Sequence, residues 1–257
     1  GAEDLSLEGD PELISRLEAE GAALEASYQS GYESVQRATS GGMHQRAEII
    51  QTEDGNEMFA KEAYSSASRQ RAMESELLAN RVQNALGITD IQAGTVPETD
   101  TFISSVAPGV MAIQDPDMRE MSVWEYHDNP WNHPQFANMF DISHNARLIG
   151  LLDYLIDNPD RNMTNWFAHE KDTIKEPVPI DHAEAYWEDG MGTKADSPFT
   201  KLMLHRFAEG RAPFTSAELL RMKGAIQSLR PMFRRYGRER SYLHILLKLN
   251  RLIRMVL

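Results

Sequence analysis

Asp157-Asn158-Pro159-Asp160-Arg161-Asn162-Met163-Thr164-Asn165-Trp166, followed by Val178-Pro179-Ile180-Asp181-His182, is the part of the chain that organises the rest. Before it, Leu148, Leu151, Leu152 and Leu155 recur at helical spacing. Ser143 can cap this helix, read over 144–157, and Pro159 stops it. The chain then passes through a polar loop into a short strand, Asn165-Trp166-Phe167. A second polar loop leads to another short strand, Val178-Pro179-Ile180. Such a loop can turn the Asp160 carboxylate and, five residues on, the Asn165 amide oxygen to one side. Asp181 ends its strand sixteen residues after Asn165 and adds another oxygen donor. Asp and Asn are also the ordinary residues of Asx turns, so the order around this stretch has to decide its meaning.

Upstream, Ala47-Glu48-Ile49-Ile50 and Met58-Phe59-Ala60-Lys61 flank Asp54-Gly55-Asn56. The spacing predicts a β-hairpin, because Asp-Gly accepts the positive φ of a tight turn. Ser40-Gly41-Gly42 is a flexible break ahead of it. Residues 67–86 read as a helix with Met73, Leu77, Leu78 and Val82 on one stripe and Gly87 past its end. Residues 11–28 read as another helix, with Asp10 and Pro11 at its start and Gly21 interrupting its stripe; it is expected to be an appended arm. Val106–Ile113 reads as one or two strands, and Asp115 to Met139 as loops with short helices. From about 198 onward the chain reads as helical, with Ser216 as a cap and a last helix over 240–256. The expected division is a helical arm (1–30), a small lobe (31–114) and a larger, mainly helical lobe (115–257). The fold class is α+β, with ligand binding between two lobes.

Composition removes several classes. With no cysteine among 257 residues, a disulfide scaffold, a thiolate zinc site and a cysteine nucleophile are excluded together. No apolar run reaches transmembrane length. The acidic start lacks a signal-peptide pattern, so a cytoplasmic location is expected. The opening Gly1-Ala2-Glu3 leads to the expectation of a longer natural chain. Twenty-six Lys/Arg oppose 39 Asp/Glu, a net charge of −13. The last 57 residues are basic and the middle is acidic, which argues against nucleic-acid binding. The basic stretch of Arg230, Arg234, Arg235, Arg238 and Arg240 reads as a solvated face, a surface docked on the acidic body, or a site for an acidic partner. No His-Glu-x-x-His pattern supports a zinc hydrolase built from His127, His133 and His182.

The order of elements matches the needs of phosphoryl transfer from ATP: a flexible cover over the phosphates, a placed cation, oxygen ligands for metal, and an acid near the nucleophile. Gly41 and Gly42 fall where a phosphate-covering turn belongs. Lys61 lies on the strand after the hairpin turn. Glu76, fifteen residues on, can orient it, although spacing alone does not separate Glu76 from Glu74. Asp181 and Asn165 offer the oxygen donors that Mg²⁺ takes together with phosphate oxygens. His182 reads as a packing or hydrogen-bonding residue, and Glu184 as a nearby acid. Each signal is soft alone; their joint order is hard to obtain by chance.

Asp160-Arg161-x-x-x-Asn165 followed by Ile180-Asp181-His182 resembles the catalytic and metal-binding loops of atypical protein-kinase-like folds. The pattern is most like the bacterial phosphatidylinositol 3/4-kinase-like group, and more distantly like HipA-type and secretory-pathway kinases. Glu76-Leu77-Leu78-Ala79-Asn80-Arg81-Val82 with Leu86-Gly87 also resembles the small-lobe helix of the bacterial members. The resemblance spans about residues 38–190. It implies a two-lobed kinase-like fold using ATP and Mg²⁺. It further implies Lys61 as the phosphate lysine, Glu76 as its partner, Asp160 as catalytic base, and Asn165 and Asp181 as metal ligands. Asn158-Pro159-Asp160 stands where protein kinases carry His-Arg-Asp, and Asp181-His182-Ala183 where they carry Asp-Phe-Gly. The expected function is phosphoryl transfer to a protein or small-molecule hydroxyl. The alternatives are transfer of AMP or another group to a protein on the same scaffold, and a non-catalytic pseudokinase.

Overall fold

A computed structural model of the chain describes residues 10–37, 44–63, 66–182, 185 and 196–257. Helix α1 (Pro11–Gln29) starts where Asp10 accepts hydrogen bonds from the Glu12 and Leu13 amides, with proline in the first turn. Its stripe is buried at Leu13, Leu17 and Tyr28. Gly21 interrupts the stripe for a steric reason. Here α1 crosses strand β4 (Ala93–Val96), and a Cβ on Gly21 would lie 3.2 Å from the Ala93 carbonyl oxygen and 3.0 Å from Arg81 Nη2.

The anticipated hairpin forms from β2 (His44–Thr52) and β3 (Glu57–Ala63), with Gly55 at φ +92° in its turn. It sits in a five-stranded antiparallel sheet of order β1-β2-β3-β5-β4, where β1 is Tyr32–Arg37 and β5 is Thr101–Ser105. Strands β1, β4 and β5 escape a reading of local pattern. They are short and carry Ser, Thr, Gly or charged residues, and pairing rather than propensity holds them. Helix α2 (Ser66–Leu86) follows β3 and ends at Gly87, φ +109°. The run around Val106–Ile113 yields only a two-residue strand, β6 (Val110–Met111), followed by a single 3₁₀ turn.

Short helices α3 (Val123–Asp128) and α4 (Pro134–Ile142) fill the polar stretch. Helix α5 (His144–Leu155) is capped by Ser143, whose hydroxyl accepts from the Ala146 amide. β7 (Trp166–Lys171) and β8 (Ile174–Pro179) form a hairpin longer than the sequence suggests. Its turn, Asp172-Thr173, has φ of +52° and +67° without glycine, so the usual signal is missing. Helices α6 (Pro198–Ala208), α7 (Ser216–Gln227), α8 (Arg230–Arg235) and α9 (Glu239–Val256) complete the large lobe. The cap of α7 is Thr215, not Ser216: Thr215 and Glu218 form a reciprocal capping box.

The main core is built on α5, α6, α7 and α9 and also receives Leu13 and Leu17 of α1 and Leu78, Val82 and Leu86 of α2. Tyr28, Ile50, Met58, Ala60, Val96 and Ile103 form a separate core under the larger sheet. Arg238 of the basic stretch is buried and donates to Ser75 Oγ of α2 at 2.9 Å, while Arg230 and Arg234 pair with Glu239. Part of that stretch is therefore docked on the body. No helix among the described residues is long and apolar enough to cross a membrane.

Gly150 lets α5 and α6 touch. A Cβ there would lie 2.8 Å from the Phe199 carbonyl oxygen and 3.1 Å from Met203 Cβ. Gly150→Ala is expected to destabilise the protein by about 1–3 kcal/mol through overpacking. Thermal melting checks this, at roughly 2–4 °C per kcal/mol for a chain of this size.

Candidate active site

Lys61 lies on β3, registered with Ala47 of β2 and Phe102 of β5. Its ammonium contacts Glu76 Oε1 of α2 at 2.5 Å and Asp181 Oδ1 at 2.6 Å. Glu76 is buried, whereas Glu74 accepts an exposed bond from Gln70, so the structure separates the two glutamates that spacing could not. Burial disfavours the charge on Lys61, but attraction to Glu76 and Asp181 outweighs it and holds the ammonium above its ordinary range. Burial pushes the Glu76 carboxyl up, against the pull of Lys61. One cation thus faces two carboxylates, a cluster of net charge −1.

Asp181 sits at φ +55°, the left-handed region, which costs a non-glycine residue roughly 1–2 kcal/mol. Its neighbours hold it there. The Ile180 amide donates to the Asn165 carbonyl at 3.0 Å, and the His182 amide donates to Glu76 Oε2 at 3.0 Å. Strain that the surroundings over-determine is characteristic of functional positions.

The loop after α5 is tied by its own side chains. The Asp160 amide donates to Asn158 Oδ1, and Asn162 Nδ2 donates to Asp160 Oδ1 at 2.9 Å. Asn165 Nδ2 donates to the Asp160 carbonyl at 2.7 Å. That bond turns Asn165 Oδ1 the other way, and this oxygen accepts no hydrogen bond from the described residues. Asp160 and Asn165 therefore belong to one internally hydrogen-bonded loop, and Asn165 joins that loop to Asp181 through Ile180.

Arg161 is the hub, and sequence reasoning assigned it no role. It is fully buried. Its guanidinium pairs with Asp153 of α5 at 2.7 Å and donates to the carbonyls of Asn165 at 2.8 Å and Ile180 at 2.6 Å. Burial works against its charge, but Asp153 outweighs that and raises its pKa. Tyr126 of α3 donates to the Arg161 carbonyl, and Trp166 Nε1 donates to the Tyr126 hydroxyl at 3.0 Å. The readable signal was Asp153: it falls on the buried face of α5, four residues after Ile149, where an acid needs a partner.

His182 lies between Arg161 and Gln83 of α2. Arg161 Nη2 can only donate, so His182 Nδ1 accepts at 3.0 Å. Nε2 then carries the proton and donates to Gln83 Oε1 at 2.9 Å. Burial, aided by the Arg161 charge, pushes the imidazole pKa well below its usual value, so the ring is neutral. Gln83 Nε2 is left buried without a partner among the described residues. An unsatisfied donor of this kind costs about 1–3 kcal/mol.

Gly41, Gly42 and Glu184 lie outside the described residues. Of the other singled-out residues, Lys61, Glu76 and Asp181 are in direct contact, and Asp160 and Asn165 are linked to them through the Arg161-centred loop. The donor set suits Mg²⁺: a carboxylate and an amide oxygen, both hard ligands. No group of three or more His, Cys, Asp or Glu among the described residues could hold a metal alone. A cation here would complete its shell with phosphate oxygens and water.

A Golgi casein kinase structure superposes with a TM-score of 0.55 at 13% identity, covering 92% of this chain and 76% of that one. The Helicobacter pylori proinflammatory kinase CtkA superposes with a TM-score of 0.50 at 12% identity, covering 88% of this chain and 94% of that one. The chain has a kinase-like fold. At these identities the likeness concerns the fold alone. No protein-family model and no curated protein matches the sequence. In this kinase-like fold, Lys61 of the larger sheet and Glu76 of α2 meet the Asp181-His182 segment that follows β8.

Proposed function

We propose that the protein is an ATP- and Mg²⁺-dependent phosphotransferase acting on a hydroxyl of a protein or small molecule. The observation that carries this reading is the Lys61 ammonium held between Glu76 and Asp181. A lysine pinned by a helix glutamate has a fixed direction, and a carboxylate beside it is placed to share a divalent ion with phosphate oxygens. The likeness of residues 148–182 to bacterial phosphatidylinositol 3/4-kinase-like and HipA-type kinases supports the same reading.

In this reading the small lobe, residues 31–114, holds the nucleotide, with Gly41 and Gly42 in the cover over its phosphates. Lys61 binds phosphate oxygens, and Glu76 keeps it aimed. Asp181 and Asn165 hold Mg²⁺. Magnesium held there would neutralise charge developing on the transferred phosphoryl group. Asp160 orients the acceptor hydroxyl and takes its proton at the carboxylate. Its second oxygen, Oδ2, accepts no hydrogen bond from the described residues, while Oδ1 is held by Asn162.

Labelled ATP, Mg²⁺ and a lysate of the native host test the reading. Labelled protein or metabolite supports it, and the mass added to the product separates phosphoryl from AMP transfer. A melting temperature raised by Mg·ATP without transfer of any group would support a pseudokinase instead. Asp160→Ala is expected to slow transfer by about 10²–10⁴-fold, the range for loss of a positioned acid–base group, while keeping the Mg·ATP-induced rise in melting temperature. Near-parental turnover in this variant removes Asp160 from the chemistry.

A further inference from the structure

Helix α2 meets the loop after α5 through a continuous run of buried side chains. Gln83 Oε1 accepts from His182 Nε2, His182 Nδ1 accepts from Arg161, and Arg161 pairs with Asp153 and donates to the Asn165 and Ile180 carbonyls. Gln83, His182, Arg161 and Asp153 are each at most 3% exposed. The run has one polarity. Arginine has no acceptor, so both the imidazole tautomer and the amide orientation of Gln83 follow from it.

The Gln83–His182 bond gains the fold little. It satisfies the imidazole N–H and leaves the Gln83 amide nitrogen buried and without a partner among the described residues. What it supplies is direction. It ties the helix that carries Glu76 to the residue that follows Asp181, and through Arg161 to the carbonyls flanking the loop. We propose that Gln83 and His182 are positioning residues that transmit the placement of α2 to Asp181 and the Asp160–Asn165 loop, a role that rests on the phosphotransferase reading above.

Gln83→Met in the full chain keeps the length and apolar stem but removes the acceptor. It exchanges one unpaired donor, the Gln83 amide, for another, the His182 N–H. The melting temperature is therefore expected to stay within about 2 °C of the parent. The Ile180 amide, whose bond to the Asn165 carbonyl closes the loop, should exchange its hydrogen about tenfold faster, with the α5 amides unchanged. The kcat should fall about 10–100-fold with KM for ATP within about twofold, because the loss falls on alignment rather than nucleotide contact. Gln83→Glu restores an acceptor and should recover most of both readouts. Parental exchange at Ile180, or parental kcat in an active protein, overturns the proposal. So does a fall of more than about 5 °C in melting temperature, or failure to fold, which marks an ordinary structural role. If the unsubstituted chain transfers no group, the phosphotransferase reading fails while the exchange comparison still decides the positioning role.

Discussion

Asp181→Asn is expected to lower Mg²⁺-dependent turnover about a thousandfold, on the scale of losing one electrostatic stabiliser of the transition state, while leaving stability close to the parent's. The reasoning is electrostatic. Lys61 contacts both Glu76 and Asp181, so the trio carries a net charge of −1. Asp181 adds to the burial that raises the Glu76 pKa. Replacing its carboxylate with an amide removes that repulsion and, with it, the Asp181–Lys61 ion pair, so the two changes offset each other. Asparagine also tolerates the left-handed backbone at φ +55°, so the change adds no new strain. Activity and stability should therefore part company. Turnover with labelled ATP and a thermal melt check the two halves. The Mg²⁺-dependent part of the nucleotide's stabilising effect should vanish as well. Turnover within tenfold of the parent would remove Asp181 from the metal site.

Arg161→Met is expected to have the largest effect on stability. Both partners of the Arg161–Asp153 pair are fully buried, 2.7 Å apart. Removing one partner leaves Asp153 as an uncompensated buried charge, which costs about 3–5 kcal/mol. For a chain of this size that corresponds to a melting temperature lower by on the order of 10 °C. The substitution also withdraws the donors to the Asn165 and Ile180 carbonyls and to His182. The double variant Asp153→Leu/Arg161→Met removes both charges and should regain much of the lost stability. It should not regain turnover, because the loop carbonyls still lack their donor. Differential scanning calorimetry on the three proteins, with turnover alongside, tests this. A single variant that melts within about 2 °C of the parent, or a double variant no better than the single, contradicts the account.

The helices with strong periodicity were legible without coordinates. Leu148, Leu151, Leu152 and Leu155 mark α5, and Met73, Leu77, Leu78 and Val82 mark α2, because each stripe packs along one face of its own helix. The β2–β3 hairpin was legible because its turn chemistry is local. The β7–β8 hairpin was only half legible: its turn reaches positive φ through Asp172 and Thr173, which seldom signal it. Strands β4 and β5 were not legible, since their pairing with each other and with β3 is a property of the sheet.

The candidate site divides in the same way. The sequence by itself determined the residue types and their order: Lys61, Glu76 or Glu74, Asp160, Asn165 and Asp181. Chain spacing carries that information directly. Only the tertiary structure decided that Glu76 and not Glu74 meets Lys61. Only it put Lys61 against a residue 120 positions away, and it alone buried Arg161 as the hub of the loop and joined His182 to Gln83, 99 positions apart. Local sequence encodes preference over a few turns of chain. A buried charge or amide takes its meaning from whichever distant group arrives to satisfy it, and that is set by packing.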